Sequence, residues 1–153
     1  MGSDTESPVN GHGRPAPRTF SVSGRSFSRY SPYLIAEIGA NHEGDLDVAK
    51  KMMASAARAG ANAVKFQTYK AERLASKTHS PAYWDTTQEA RSSQFELFSH
   101  YDKFSQSDYM KLADFAASCN VDFLSTPFDS EAVELLAPLV PAFKVASADL
   151  TNT

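Results

Sequence analysis

Four short apolar runs, at 33–38, 62–67, 121–126 and 141–146, alternate with amphipathic stretches, and this alternation most narrowly limits how the chain folds. Each run has the length of a single strand and lacks strict polar alternation, the pattern of a strand covered on both faces. Between the first two runs, Leu46, Ala49, Met53 and Ala56 recur at helical spacing after Asp45, and Gly60 marks the stop. Between the second and third, Ser105 to Asp108 offer N-caps, Leu112, Phe115, Ala116 and Cys119 share one face, and Asn120 ends it. Asp129 heads a further helical stretch through Val133, Leu136 and Leu139, interrupted near Pro138. The order βαβαβαβ requires a parallel sheet covered by helices, either doubly wound or closed as a barrel.

Two regions depart from this rhythm. Residues 68–104 form a connection longer than packing requires, with a helical piece expected around 88–99; long connections in compact domains are often functional. Residues 1–31 carry seven Ser, four Gly and three Pro, too little apolar surface to offset the entropy of ordering, and are expected to be a disordered leader. Its charge is +2, from Arg14, Arg18, Arg25 and Arg29 against Asp4 and Glu6, so residues 32–153 hold −5 of the overall −3. That acidic balance, without a basic stripe, argues against nucleic acid as a partner, and no apolar run approaches the ~18–20 residues of a membrane span. Cys119 is the sole cysteine, which excludes an intrachain disulfide and fits a reducing compartment; the cytoplasm is the expected location.

Both parallel architectures place ligands beyond the carboxyl ends of the strands. Here those ends carry Glu37, then Lys65 and Gln67, then Ser125 and Thr126, then Lys144, Ser147 and Asp149. Lys65 and Gln67 are two apart, so their side chains leave one face together. Two lysines without acidic partners on their own strands call for an anionic ligand, phosphate or carboxylate, with hydroxyls completing the cradle. Glu37, alone in an apolar run, is the candidate for proton transfer, because desolvation disfavours its charged form. Each group also has a plain structural alternative. Glu37 or Lys144 can form an internal ion pair, Ser125 and Thr126 can simply end a strand, and a lone loop histidine such as His42 is usually exposed and inert. No histidine spacing in the chain builds a metal site, so no metal ligand is assigned within it.

The blocks Ala36-Glu-Ile-Gly-Ala-Asn-His-Glu-Gly-Asp-Leu46, Gly60-Ala-Asn-Ala-Val-Lys-Phe-Gln-Thr68, Phe123-Leu-Ser-Thr-Pro-Phe-Asp129 and Phe143-Lys-Val-Ala-Ser147 resemble the N-terminal half of the N-acetylneuraminate (sialic acid) synthase family over 33–153. The resemblance implies a (β/α)8 TIM barrel, of which only about the first four βα units are present. It implies condensation of phosphoenolpyruvate with an N-acetylated amino sugar of the N-acetylmannosamine type, giving a nonulosonic acid and phosphate. By motif position, Lys65, Thr126, Lys144 and Ser147 would hold phosphoenolpyruvate, Gln67 would touch the amino sugar, and Glu37 with Asp149 would serve acid–base and water-positioning steps. Asp149 stands where some members have Glu. Asn41, His42 and Ser125 are further contact candidates. The resemblance also implies a divalent metal, manganese or magnesium, with ligands expected beyond residue 153, and a homodimer at full length. A complete barrel needs ~200 or more residues, so the chain alone is expected to be a truncated, inactive fragment. Two rival readings are a related 3-deoxy-sugar-acid synthase that takes phosphorylated sugars, and a non-catalytic half-barrel that assembles with a second half.

Overall fold

A computed structural model describes residues 18–150. The chain divides into two compact units, residues 1–33 and 34–153.

In the first unit, β1 (Thr19–Val22) and β2 (Arg25–Ser28) pair as an antiparallel hairpin. This corrects the expectation of an unstructured leader over these residues; the expectation for residues 1–17 lies outside the described residues. The turn residues Ser23 and Gly24 have φ of +49° and +73°, the left-handed pair that a two-residue hairpin turn requires. Phe20 opposes Phe27 with ring centroids 5.7 Å apart, and Tyr33 meets Phe27 edge-on at 4.8 Å. A few aromatic cross-strand contacts suffice for a hairpin even where serine dilutes the apolar pattern.

The second unit is built on three parallel strands, β3 (Ile35–Gly39), β4 (Ala63–Thr68) and β5 (Asp122–Pro127), in the order β3-β4-β5. α1 (Leu46–Arg58) connects β3 to β4; α2 (Ala71–Leu74), α3 (Gln94–Tyr101) and α4 (Gln106–Ser118) connect β4 to β5; α5 (Ser130–Leu136) follows β5. The α/β class and the two crossovers that join these strands match the expectation; the third expected crossover has no strand to lead to. Ala49 and Met53 of α1, Tyr109, Leu112 and Ala116 of α4 and Leu136 of α5 form one apolar cluster with Ile38, Val64, Phe66 and Phe123, so these helices cover one face of the sheet. Among the described residues, no helix is long and apolar enough to cross a membrane.

Helix limits follow local chemistry. Asp45 caps α1 by accepting from the Asp47 and Val48 amides at 2.8 and 2.9 Å, and Gly60 at φ +90° ends it. Ser105 and Asp108 form a capping box on α4, which Asn120 terminates at φ +57°. α3 starts at Gln94 instead of 88, because Ser93 accepts from the Glu96 amide and Glu96 accepts from the Ser92 amide, fixing the first turn there.

Two expectations about strands are corrected. β3 is covered on one face only: Ile35 is 46% exposed. Residues 141–146 form no strand, and Phe143 and Val145 stand 45% and 55% exposed. An apolar run becomes a strand only where a neighbour takes its backbone groups; the chain instead turns back after α5, the Leu139 and Val140 amides donating to the Leu136 carbonyl.

Candidate active site

Strand parity builds the site. The register sets Glu37 beside Lys65 and Gln67 beside Thr126, and alternation sends all four to the face that α1, α4 and α5 leave open. The Lys65 ammonium forms an ion pair with the Glu37 carboxylate and donates to Thr126 Oγ1 at 3.4 Å. Three side chains from three adjacent strands thus meet at one point. Gly39, at φ +56°, borders the fourth: a Cβ there would lie 3.9 Å from Gln67 Nε2, an ordinary contact, but 3.3 Å from Glu37 Oε1, so its missing side chain leaves room for the carboxylate.

The ion pair changes the charge argument. Lys65 already has an acidic partner, on the neighbouring strand, so the cation does not depend on a ligand for neutrality. Glu37 is 48% exposed against 14% for Lys65, so the carboxylate is solvated and the desolvation argument for it as a proton-transfer group is not met. An ammonium has three protons to donate. Glu37 and Thr126 engage two, which leaves one directed donor and a half-exposed carboxylate that an incoming anion can displace.

Ser125 is corrected outright. It is fully buried on the opposite, helix-covered face, where its Oγ lies 2.7 Å from Thr68 Oγ1. Adjacent residues on a strand point to opposite faces, so Ser125 and Thr126 cannot both serve one mouth. His42 is likewise not an exposed loop residue. It stacks on Phe104 at 4.3 Å, and its Nδ1 accepts from the Gly44 amide at 2.9 Å. Burial holds its pKa below the usual imidazole value, against the opposing pull of a backbone hydrogen bond with Gly39. Asn41 spends its side-chain amide on the Ile38 carbonyl at 2.9 Å, closing the turn after β3. Both residues therefore shape the loop at the rim.

Lys144, Ser147 and Asp149 are not brought into the cluster. They lie exposed in the segment without strand pairing, where Lys144 donates to the Val145 carbonyl at 2.5 Å. No group of three or more His, Cys, Asp or Glu side chains suited to a metal ion occurs among the described residues. The divalent metal that the resemblance implies has its ligands expected beyond residue 153, outside these residues.

Sequence reasoning missed the buried polar groups behind the site. The Tyr109 hydroxyl donates to the Gln67 carbonyl at 3.1 Å and also bonds the Thr68 side chain, while burial raises its pKa to about 12. Asp102 accepts from Lys70 Nζ at 2.7 Å and from the Ala71 amide at 3.2 Å, clasping the start of the long connection to its end. Lys70 and Arg73 are both paired, Arg73 with Glu131 at 2.5 Å. A cleft of about 670 Å³ lies between α2, α4 and α5 and includes Tyr69, Arg73 and Asp129. Its cations are already paired, Arg73 with Asp129 and Glu131 and Lys70 with Asp102, so the open-face cluster is the stronger candidate.

A parallel α/β sheet that gathers a lysine, a carboxylate and a hydroxyl at its carboxyl ends has the layout of the α/β proteins whose ligand sites lie beyond their strands. The family follows from the sequence over the same strands: residues 52–153 match the NeuB family, and the chain belongs to it. It is 38% identical over 122 residues to the N,N'-diacetyllegionaminic acid synthase of Legionella pneumophila, covering 78% of this chain and 34% of that protein. It is 37% identical over 122 residues to the N-acetylneuraminate-9-phosphate synthase of Homo sapiens, covering 78% and 33% respectively. The N-acetylneuraminic acid (sialic acid) synthetase of Leptospira borgpetersenii, solved in complex with citrate, superposes with a TM-score of 0.70 at 28% identity, covering 89% of this chain and 44% of that one. The chain thus spans about a third of the length of these curated relatives.

Proposed function

We propose that this chain contributes the phosphoenolpyruvate-binding part of a sugar-acid synthase that condenses phosphoenolpyruvate with an N-acetylated amino sugar, releasing phosphate. The observation that carries this reading is the convergence of Glu37, Lys65 and Thr126 from three adjacent strands on the open face. It is supported by the relatives, which are named as synthases of legionaminic acid and of N-acetylneuraminate 9-phosphate. In this proposal the remaining units of a (β/α)8 barrel complete the sheet, and Lys144, Ser147 and Asp149 join the site when the segment holding them pairs beside β5.

The residues divide the work by their chemistry. Lys65 supplies a positive charge and a directed proton to an anionic oxygen, and Thr126 supplies a hydroxyl beside it. Glu37 holds the ammonium in the absence of ligand and is released to the half-open mouth when an anion takes its place, where it can accept or return a proton. Gln67 presents a neutral amide, suited to the hydroxyl and amide groups of an amino sugar. A divalent metal, with ligands supplied from outside these residues, would polarise the sugar aldehyde. A cytoplasmic homodimer completes the proposal, and the chain alone is proposed to be inactive.

Phosphate release by the full polypeptide, compared between N-acetylmannosamine and arabinose 5-phosphate, tests the reading. Turnover of the N-acetylated sugar alone is expected; turnover of the phosphorylated sugar alone overturns it in favour of a 3-deoxy-sugar-acid synthase. The exposed Leu34 and Ile35 favour a second reading, a half-barrel that assembles with another half. A folded, cooperative dimer of the 153-residue chain in sedimentation would support that alternative.

A further inference from the structure

Gln67 is held by its own backbone from behind the sheet. The Thr68 carbonyl accepts from the Phe128 amide on the β5 side. Carbonyls alternate along a strand, so the Gln67 carbonyl faces the other way, toward β3. The last β3 partner in the register is Gly39, opposite Phe66, after which the chain turns away. The Gln67 carbonyl therefore lies past the end of its ladder, and the Tyr109 hydroxyl, from α4, donates to it at 3.1 Å.

A cluster of buried hydroxyls backs that bond. A phenol has one proton, and Tyr109 spends it on Gln67. The Thr68 side chain hydrogen-bonds that phenol, and its Oγ1 lies 2.7 Å from Ser125 Oγ. Thr68, Tyr109 and Ser125 are all buried. The chain of hydroxyls starts behind Thr126 and ends on the residue that is Thr126's partner in the register. None of its members reaches the open face.

We infer that Tyr109 is a positioning residue that sets the Gln67 side chain, and through it the fit of the amino sugar, with Thr68 and Ser125 orienting its hydroxyl. The inference rests on the reading of Gln67 as the sugar contact. It separates two ligands that share one mouth: the anion held by Lys65 and Thr126 is indifferent to Tyr109, whereas the sugar is not.

The test uses Tyr109→Phe, which keeps the ring and removes only the hydroxyl. In the full polypeptide, KM for N-acetylmannosamine is expected to rise about tenfold, the effect of one lost hydrogen bond, with KM for phosphoenolpyruvate and kcat within about twofold. Thr68→Val is expected to shift the same constant in the same direction, and Thr68→Ser to behave as the parent. In the 153-residue chain, the Gln67 side-chain amide signals are expected to move in the NMR spectrum of Tyr109→Phe while the Lys65 ammonium signal stays. Equal rises in both KM values, or Gln67 signals unchanged in the variant, overturn the inference. A parent protein that turns over no amino sugar overturns the functional reading, and the Gln67 signals still decide the positioning claim.

Discussion

The two faces of the β3-β4-β5 sheet treat polar groups in opposite ways. On the covered face, Ser125, Thr68 and Tyr109 bond one another and a backbone carbonyl, and the rest is apolar, with Phe66, Val64 and Leu112 fully buried. On the open face, Glu37, Lys65, Gln67 and Thr126 gather charge and hydrogen-bonding capacity beyond what their mutual contacts consume. A buried polar group without a partner is costly, so the covered face closes its hydrogen bonds internally and contributes to stability. The open face keeps capacity in reserve, which is what a binding surface needs.

If the faces divide labour in this way, variants on each should fail differently. Phe66→Ala, on the covered face, is expected to cost about 3–5 kcal/mol in a urea unfolding curve. Lys65→Met is expected to weaken phosphoenolpyruvate binding about a hundredfold in calorimetry, the scale of charged hydrogen bonds lost to an anion. Because its partner Glu37 is half-exposed, the same variant should change stability by less than about 1 kcal/mol. A Lys65→Met protein that unfolds as readily as Phe66→Ala would break the comparison.

The rim between the faces gives smaller effects. His42→Ala removes a buried ring stacked on Phe104 and is expected to cost about 2 kcal/mol. The pH dependence sharpens this. The His42 pKa in the fold is below its unfolded value of 6.5, so its contribution is complete above pH 6.5 and declines as pH falls from there toward the folded pKa. The acid limb of a stability–pH curve should therefore be shallower below pH 6.5 in His42→Ala than in the parent. Smallest is Asp108→Ala, which opens the α4 capping box and is expected to cost about 1 kcal/mol. The Ser105 hydroxyl, with Lys111, holds the Asp108 carboxyl down at about 2, so its contribution is present above pH 4 and lost as the pH falls toward 2.

Much of this was legible in the sequence because the deciding signals are local. Asp45, Ser105, Asp129, Gly60 and Asn120 act within a turn of themselves, so the starts of three helices and the ends of two were readable. The same-face placement of Lys65 and Gln67 follows from a period of two, and the structure keeps it. The same period places Ser125 on the wrong side of the sheet for a ligand, where grouping it with Thr126 by proximity alone led the reading astray. An internal ion pair for Glu37 is among the sequence alternatives, but Lys65 as its partner is not legible there because it depends on cross-strand register. Tyr109 was invisible for a related reason: its partner is a main-chain carbonyl on another element, and at helical spacing with Leu112 it reads as one more apolar position. The hairpin of β1 and β2 was missed because composition averaged over 31 residues hides a single turn with two aromatic partners.

The most direct test is a phosphoenolpyruvate titration of the isotopically labelled polypeptide, followed residue by residue by NMR. The account predicts saturable shifts centred on the Lys65 ammonium, Thr126 and Glu37, with Thr68 and Ser125 little changed. Shifts centred instead on Tyr69, Arg73 and Asp129 in the cleft by α5, or no saturable shift at Lys65, would contradict it.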